Sequence, residues 1–125
     1  MKRLVLFTML GVCFLQGCDR RLDKAADADE GAKALQTALQ AWKSGKLPED
    51  LREVKPSIVM NEDEWRVGKR LLDFKVEEIA LSGRQIRATV QIKLEDKSGK
   101  TRDQKAIYIV DTTPRIVIVR DTFAL

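Results

Sequence analysis

The chain has 125 residues, 23 Lys and Arg against 19 Asp and Glu for a formal charge of +4, two cysteines and no histidine. That length supplies one domain with a single modest core. Without histidine there is no Ser-His or Cys-His nucleophile, and the missing histidines and scarce cysteines exclude structural zinc sites too.

Lys2 and Arg3 precede an apolar run from Leu4 to Leu15 that only Thr8 and Gly11 interrupt, the layout of an export signal. A membrane-spanning helix needs about 20 apolar residues. This run stops at Gln16, with charged residues from Asp19 onward, so it is too short to stay as an anchor. It closes on Leu15-Gln16-Gly17-Cys18, which resembles the lipobox of bacterial lipoproteins; Gln16 departs from the pattern, where a small or β-branched residue is commoner. The resemblance implies a cleaved leader over 1–17, a covalent lipid on Cys18 as the only prosthetic group, and attachment to a membrane through two or three acyl chains. The alternative is an ordinary secretory signal cut near the same place.

Cysteine usage favours the lipid. Cys13 would leave with the leader, making Cys18 the lone thiol of the mature chain in a compartment where cysteines normally pair. Acyl chains contribute about 0.8 kcal/mol per buried CH₂, and stable anchoring takes more than one chain. The same resemblance implies a place in the bacterial cell envelope facing the periplasm, with Asp19 favouring the inner membrane. Loss of Lys2 and Arg3 leaves 21 basic residues against 19 acidic ones, a net of +2. The two signs are interspersed without a long like-charged run, so the sequence offers no nucleic-acid patch.

Residues 18–27 read as the lipidated cysteine and a spacer, too poor in large apolar groups to offset the entropy of ordering them. A single domain over 28–125 follows. Asp27 and Glu30 stand three apart as a capping box requires, and Ala28, Ala32, Leu35, Leu39 and Trp42 form one helical stripe, predicting a helix over 28–44 that Gly45 ends. A short helix is expected at Pro48 to Val54 and a short strand at Ser57 to Met60. Asn61 with Glu64 suggests a second capping box, opening a turn that carries Trp65 and ends near Gly68.

From Lys69 the period becomes two. Leu72, Phe74 and Val76 share a face, then Ile79 and Leu81 take the opposite parity, which predicts a β-bulge or a sharp bend at Glu77-Glu78. After the turn Ser82-Gly83, Ile86 to Leu94 alternate with polar residues as a half-buried strand. Arg102 to Val110 and Arg115 to Arg120 add two more strands, separated by Thr112-Thr113-Pro114. In Ile116-Val117-Ile118-Val119 both faces are apolar, which places that strand centrally or under cover on both sides.

One long helix, a short helix and a curved antiparallel sheet of three to five strands make an α+β plan. By order and size it resembles the cone-shaped nuclear-transport-factor and SnoaL-like group and the related cystatin-like fold. Ala41-Trp42-Lys43-Ser44-Gly45, Pro48-Glu49-Asp50-Leu51 and Asp63-Glu64-Trp65-Arg66 are similar to uncharacterised secreted or lipid-anchored proteins of planctomycete-type bacteria, a likeness that implies no activity.

The chemistry left to such a chain is that of carboxylates. Glu62, Asp63 and Glu64 are adjacent, but a hard cation takes six to eight oxygens in a cage, and a capped, solvated helix start explains these three better than a metal. Of Glu77 and Glu78, one would face a concave surface, where a buried carboxylate can act as a base; a solvated bulge is the simpler reading. Trp42 and Trp65 would line a cone's mouth or complete its core, and Tyr108 and Arg120 would place polar tips in a pocket or at the surface. The favoured expectation is a non-catalytic envelope domain that binds a protein or peptide through an open sheet face or cone mouth. The alternative is a small hydrolase- or isomerase-like enzyme using Asp73 or Glu78.

Overall fold

A computed structural model of the chain describes residues 26–123, so the leader, Cys18 and the seven residues after it lie outside the described residues. The first helix, α1, spans Ala28–Lys43. Asp27 caps it, its Oδ1 accepting from the N–H groups of Asp29 and Glu30 at 3.0 and 3.1 Å. The reciprocal arm of a capping box is replaced by a tertiary contact, since the Asp27 N–H donates to Thr112 Oγ1 at 2.9 Å. At the other end Gly45, with φ +89°, takes the left-handed position after Ser44, and the N–H groups of Gly45 and Lys46 bond back to the Trp42 and Ala41 carbonyls. Ala26 is already buried and donates its N–H to the Arg84 carbonyl at 2.9 Å.

The short helix expected from Pro48 is a 3₁₀ helix, Pro48–Glu53, that ends one residue before Val54. The short strand β1 follows at Ile58–Asn61 and the single turn α2 at Asp63–Arg66. The α2 cap is Glu62, whose side chain accepts from the Glu64 N–H at 3.0 Å, and not the expected Asn61, which ends β1 and accepts from Arg66. A strand running one residue further than its hydrophobic pattern displaces the cap by one.

Strands β2 (Arg70–Ser82), β3 (Gln85–Glu95), β4 (Thr101–Asp111) and β5 (Ile116–Arg120) form an antiparallel meander, and β1 joins its far side. The order is β1-β5-β4-β3-β2, with β1 parallel to β5, so the open, curved five-stranded sheet is mixed rather than wholly antiparallel. The crossover arises because β1 is separated from β5 by the whole meander and reaches it at the edge left vacant. The bulge expected after Val76 is present: Val76 pairs with Val90 and Glu78 with Thr89, which leaves Glu77 extra. A second bulge between Leu71 and Asp73 shifts Leu72 out of register, so Leu71, not Leu72, shares the inward face with Phe74 and Val76.

Alternation then builds the core. Ile86, Ala88, Val90, Ile92 and Leu94 of β3, Ala106, Tyr108 and Val110 of β4, and Ile116 and Ile118 of β5 face inward with Ile58 and Met60 of β1. Leu35, Ala38, Leu39, Trp42, Leu51 and Trp65 close over them. Gly31 allows the closest approach, because a Cβ there would stand 2.3 Å from Ile86 Cδ1. β5 is an interior strand as expected, and its two faces differ: Ile116 and Ile118 are buried in the core, while Val117 is half-buried and Val119 is 37% exposed. No helix of the described residues is long and apolar enough to cross a membrane.

Candidate functional site

Two features stand out on the finished fold: a buried polar cluster inside, and a half-buried apolar patch on the outer sheet face. The cluster grows from strand parity. Ile58 and Met60 face inward from β1, and Glu62, two residues on, keeps that face; Ile116, Ile118 and Arg120 do the same on β5. Register sets Arg120 opposite Tyr108 of β4. Glu62 Oε2 therefore accepts from the Tyr108 hydroxyl at 2.5 Å and from Arg120 Nη1 at 2.6 Å, while Oε1 caps α2. The Glu62 side chain is wholly buried and that of Arg120 is 16% exposed.

Burial, then the Glu62 charge, push the Tyr108 phenol far above its usual range. Burial works against the Arg120 charge, but the Glu62 carboxylate outweighs it and holds that guanidinium above its usual value. The Arg120 guanidinium also lies 5.8 Å from the Tyr108 ring centroid, within cation–π range. Beyond it, Glu64 pairs with Lys69 at 2.7 Å; the Lys69 hydrogen bond, opposed by partial burial, holds its carboxyl below the ordinary 4.5.

This arrangement holds structure together and has little freedom to react. A general base must reach the proton that it abstracts, and both Glu62 oxygens are already engaged by protein donors. The small cleft that Glu62 borders, about 190 Å³, is lined also by Arg52, Met60 and Arg66. A larger groove, about 430 Å³, runs along α1 past Gln40, Ala41, Leu51 and Val54 and touches no member of the cluster.

The tryptophans are core. Trp42 and Trp65 stack with centroids 5.4 Å apart and planes at 13°, 3% and 5% exposed. Trp42 Nε1 donates to the Lys69 carbonyl and Trp65 Nε1 to the Lys46 carbonyl, each at 2.9 Å, which ties together the two loops that follow the helices. Glu78 and Glu77 are both exposed on the edge strand, so neither faces a concave pocket. Asp73 is exposed as well and pairs with Lys43 at 3.4 Å. The acids at 62–64 diverge, Glu62 inward, Asp63 to Arg66 and Glu64 to Lys69. Among the described residues no group of three or more acidic or cysteine side chains is placed to hold a metal ion.

Of the predicted site residues, the fold brings together Tyr108 and Arg120 in one cluster and Trp42 and Trp65 in one stack, and leaves Glu78 apart. Glu62 as the centre of the cluster escaped notice among its acidic neighbours; the alternation Ile58, Met60, Glu62 was the signal that marked it.

On the outer face, Val59 lies beside Val117, Val119 beside Ile109, and Ile107 next along β4. Val59, Val117 and Ile109 are half-buried and Val119 is exposed. Ile107, although 7% exposed, lies outside the core cluster that all buried helix side chains of appreciable size join. Arg87, paired with Asp121 at 3.2 Å, borders the patch. No protein-family model matches the chain, and neither a curated protein nor a solved structure does so.

Proposed function

We propose that this chain is a membrane-anchored bacterial lipoprotein, acylated on Cys18, whose α+β domain is a non-catalytic module that binds a protein or peptide of the cell envelope. The observation that carries this reading is the outer sheet face. Val59, Ile109, Val117 and Val119 form a contiguous apolar surface on three neighbouring strands, bordered by charged side chains, the layout of a binding patch. Both oxygens of the buried Glu62 are engaged by protein donors, and Asp73 and Glu78 stand in solvent, which favours the binding reading over the enzyme one. The lipobox-like leader supplies the anchor, and the interspersed surface charges fit a partner other than nucleic acid.

A photo-crosslinking residue at Val119, compared with one at Gln36 on α1, tests the reading in intact cells. A discrete adduct from position 119, abolished by Val117→Asp, is expected. Adducts from position 36 alone, or from neither, would contradict it.

A further inference from the structure

We propose that β2 is a dimer interface: two copies of this chain pair edge to edge, antiparallel about a two-fold axis at Val76, and their sheets run on as one. The first observation is the bare edge. Of the two edges of the sheet, β1 is four residues long and the 3₁₀ helix packs against it, whereas β2 runs for 13 residues with no strand beyond it. An edge of that length presents unpaired N–H and C=O groups, a template for another strand. Its inward apolar side chains are unfinished too: Leu71 is buried, Phe74, Val76 and Ile79 are half-buried, and Leu81 is 58% exposed. The gradient follows α1. Lys43 reaches Asp73 and Trp42 the Lys69 carbonyl, so the helix ends over the start of β2, while Gly31 in its first turn lies against Ile86 of β3 and Val110 of β4. Ile79 and Leu81 are left at an open corner.

The second observation is the register that the two bulges create. Leu72 and Glu77 are the extra residues, so the strand faces inward at Leu71, Phe74, Val76, Ile79 and Leu81 and outward at Asp73, Lys75, Glu78 and Ala80. In a symmetric antiparallel pair, residues opposite one another must point to the same side of the sheet. An axis at Val76 meets that condition along the whole strand. Val76 then lies opposite Val76, Phe74 opposite Ile79 and Leu71 opposite Leu81, and on the outer side Lys75 meets Glu78 twice. Without the bulge at Glu77 the same axis would set Phe74 against Glu78. The helix-covered start of one strand comes to lie beside the bare end of the other, which closes both open corners. Lys75 and Glu78 are free for this role: among the described residues neither has another partner, whereas Arg70 pairs with Glu95 and Asp73 with Lys43. An axis at Lys75 would oppose lysine to lysine, and one at Phe74 would leave Ile79 and Leu81 beyond the partner strand. Charges on an edge discourage pairing with other strands; these two do so while fitting a second copy, which gives specificity.

The axis stands perpendicular to the sheet, so the outer apolar faces of both copies look the same way and the dimer presents that patch twice. Neither Cys18 nor the occupant of the outer face enters the pairing. The test uses the full chain, extracted from cells in mild detergent and weighed by native mass spectrometry at micromolar concentration. A photo-crosslinking residue is placed at Glu77, which has no residue opposite it, or at Glu49 beside the β1 edge. Wild type should show a two-chain mass, and light should join two copies from position 77 and not from position 49. Lys75→Glu and Glu78→Lys each set like charges opposite one another twice, so either variant alone should lose the two-chain species at least several-fold. Mixed, the two variants should regain it as a heterodimer, since position 75 of one chain then faces an unlike charge at position 78 of the other. That rescue also shows that both variants are folded. A single-chain mass for wild type, an adduct at 77 to any other protein, or charge variants that pair as wild type does would overturn the proposal, as would a mixture that pairs no better than its parts.

Discussion

Replacing Glu62 by alanine would leave the Arg120 guanidinium largely buried without its carboxylate and the Tyr108 hydroxyl without its acceptor. Breaking one side of a buried pair costs about 3–5 kcal/mol, so Glu62→Ala should lower the urea midpoint severely, and Tyr108→Phe by less, about 1.5–3 kcal/mol for a hydrogen bond to a charged group. If Glu62→Ala unfolds at the wild-type midpoint, the cluster does not hold the sheet's end together. Glu64 gives a pH prediction. Its folded pKa lies below the unfolded value, chiefly through Lys69, so the stability it contributes is present above about pH 4.5 and is lost as pH falls through the folded pKa. Urea midpoints measured from neutral pH down to pH 3 should decline less steeply for Glu64→Gln than for the wild type; parallel curves would remove Glu64 from the account. Tyr108 and Arg120 were visible in the sequence as candidates, but their shared partner was not, because which carboxylate meets them depends on β1 lying beside β5, a pairing between residues far apart in the chain.

Among the elements, α1 was the most legible, since cap, stripe and terminating glycine agree. Its distance from the sheet was not legible, and Gly31 decides it. Gly31→Ala gains up to about 1 kcal/mol of helix propensity, yet its Cβ would meet Ile86 Cδ1 at 2.3 Å, and overpacking costs about 1–3 kcal/mol. The single variant should be less stable than wild type, and Ile86→Val, which deletes the offending methyl, should recover stability in the double variant. Equal effects of Gly31→Ala on both backgrounds would show that the approach is not tight. Thr112→Ala is expected to cost about 1 kcal/mol in thermal or urea unfolding by removing the acceptor of the Asp27 N–H. The bulge after Val76 was readable from a parity change, whereas the one at Leu72 was hidden because Leu71 and Leu72 are both apolar and either satisfies the pattern. The parallel β1 was hidden for a related reason: four residues of strand carry no mark of direction.

For the whole molecule, the α+β class followed from the order of periodicities, helical first and strand-like after, and that much the fold bears out. Whether a sheet face is covered is not written in alternation. The run Ile116 to Val119 allowed cover on both sides, and the fold spends its helices on one, which leaves the apolar face on which the binding proposal rests. Val117→Asp with Val119→Asp should leave the unfolding midpoint within about 1 kcal/mol of wild type, because that face is outside the core, and should abolish partner capture. A large loss of stability would mean that the patch is structural.

The anchor bears most directly on the whole account, and metabolic labelling with a palmitate analogue, followed by membrane fractionation, tests it. The wild-type chain should take up label and sediment with membranes, and Cys18→Ser should do neither. A chain that sediments without label whether or not Cys18 is present would contradict the lipoprotein reading.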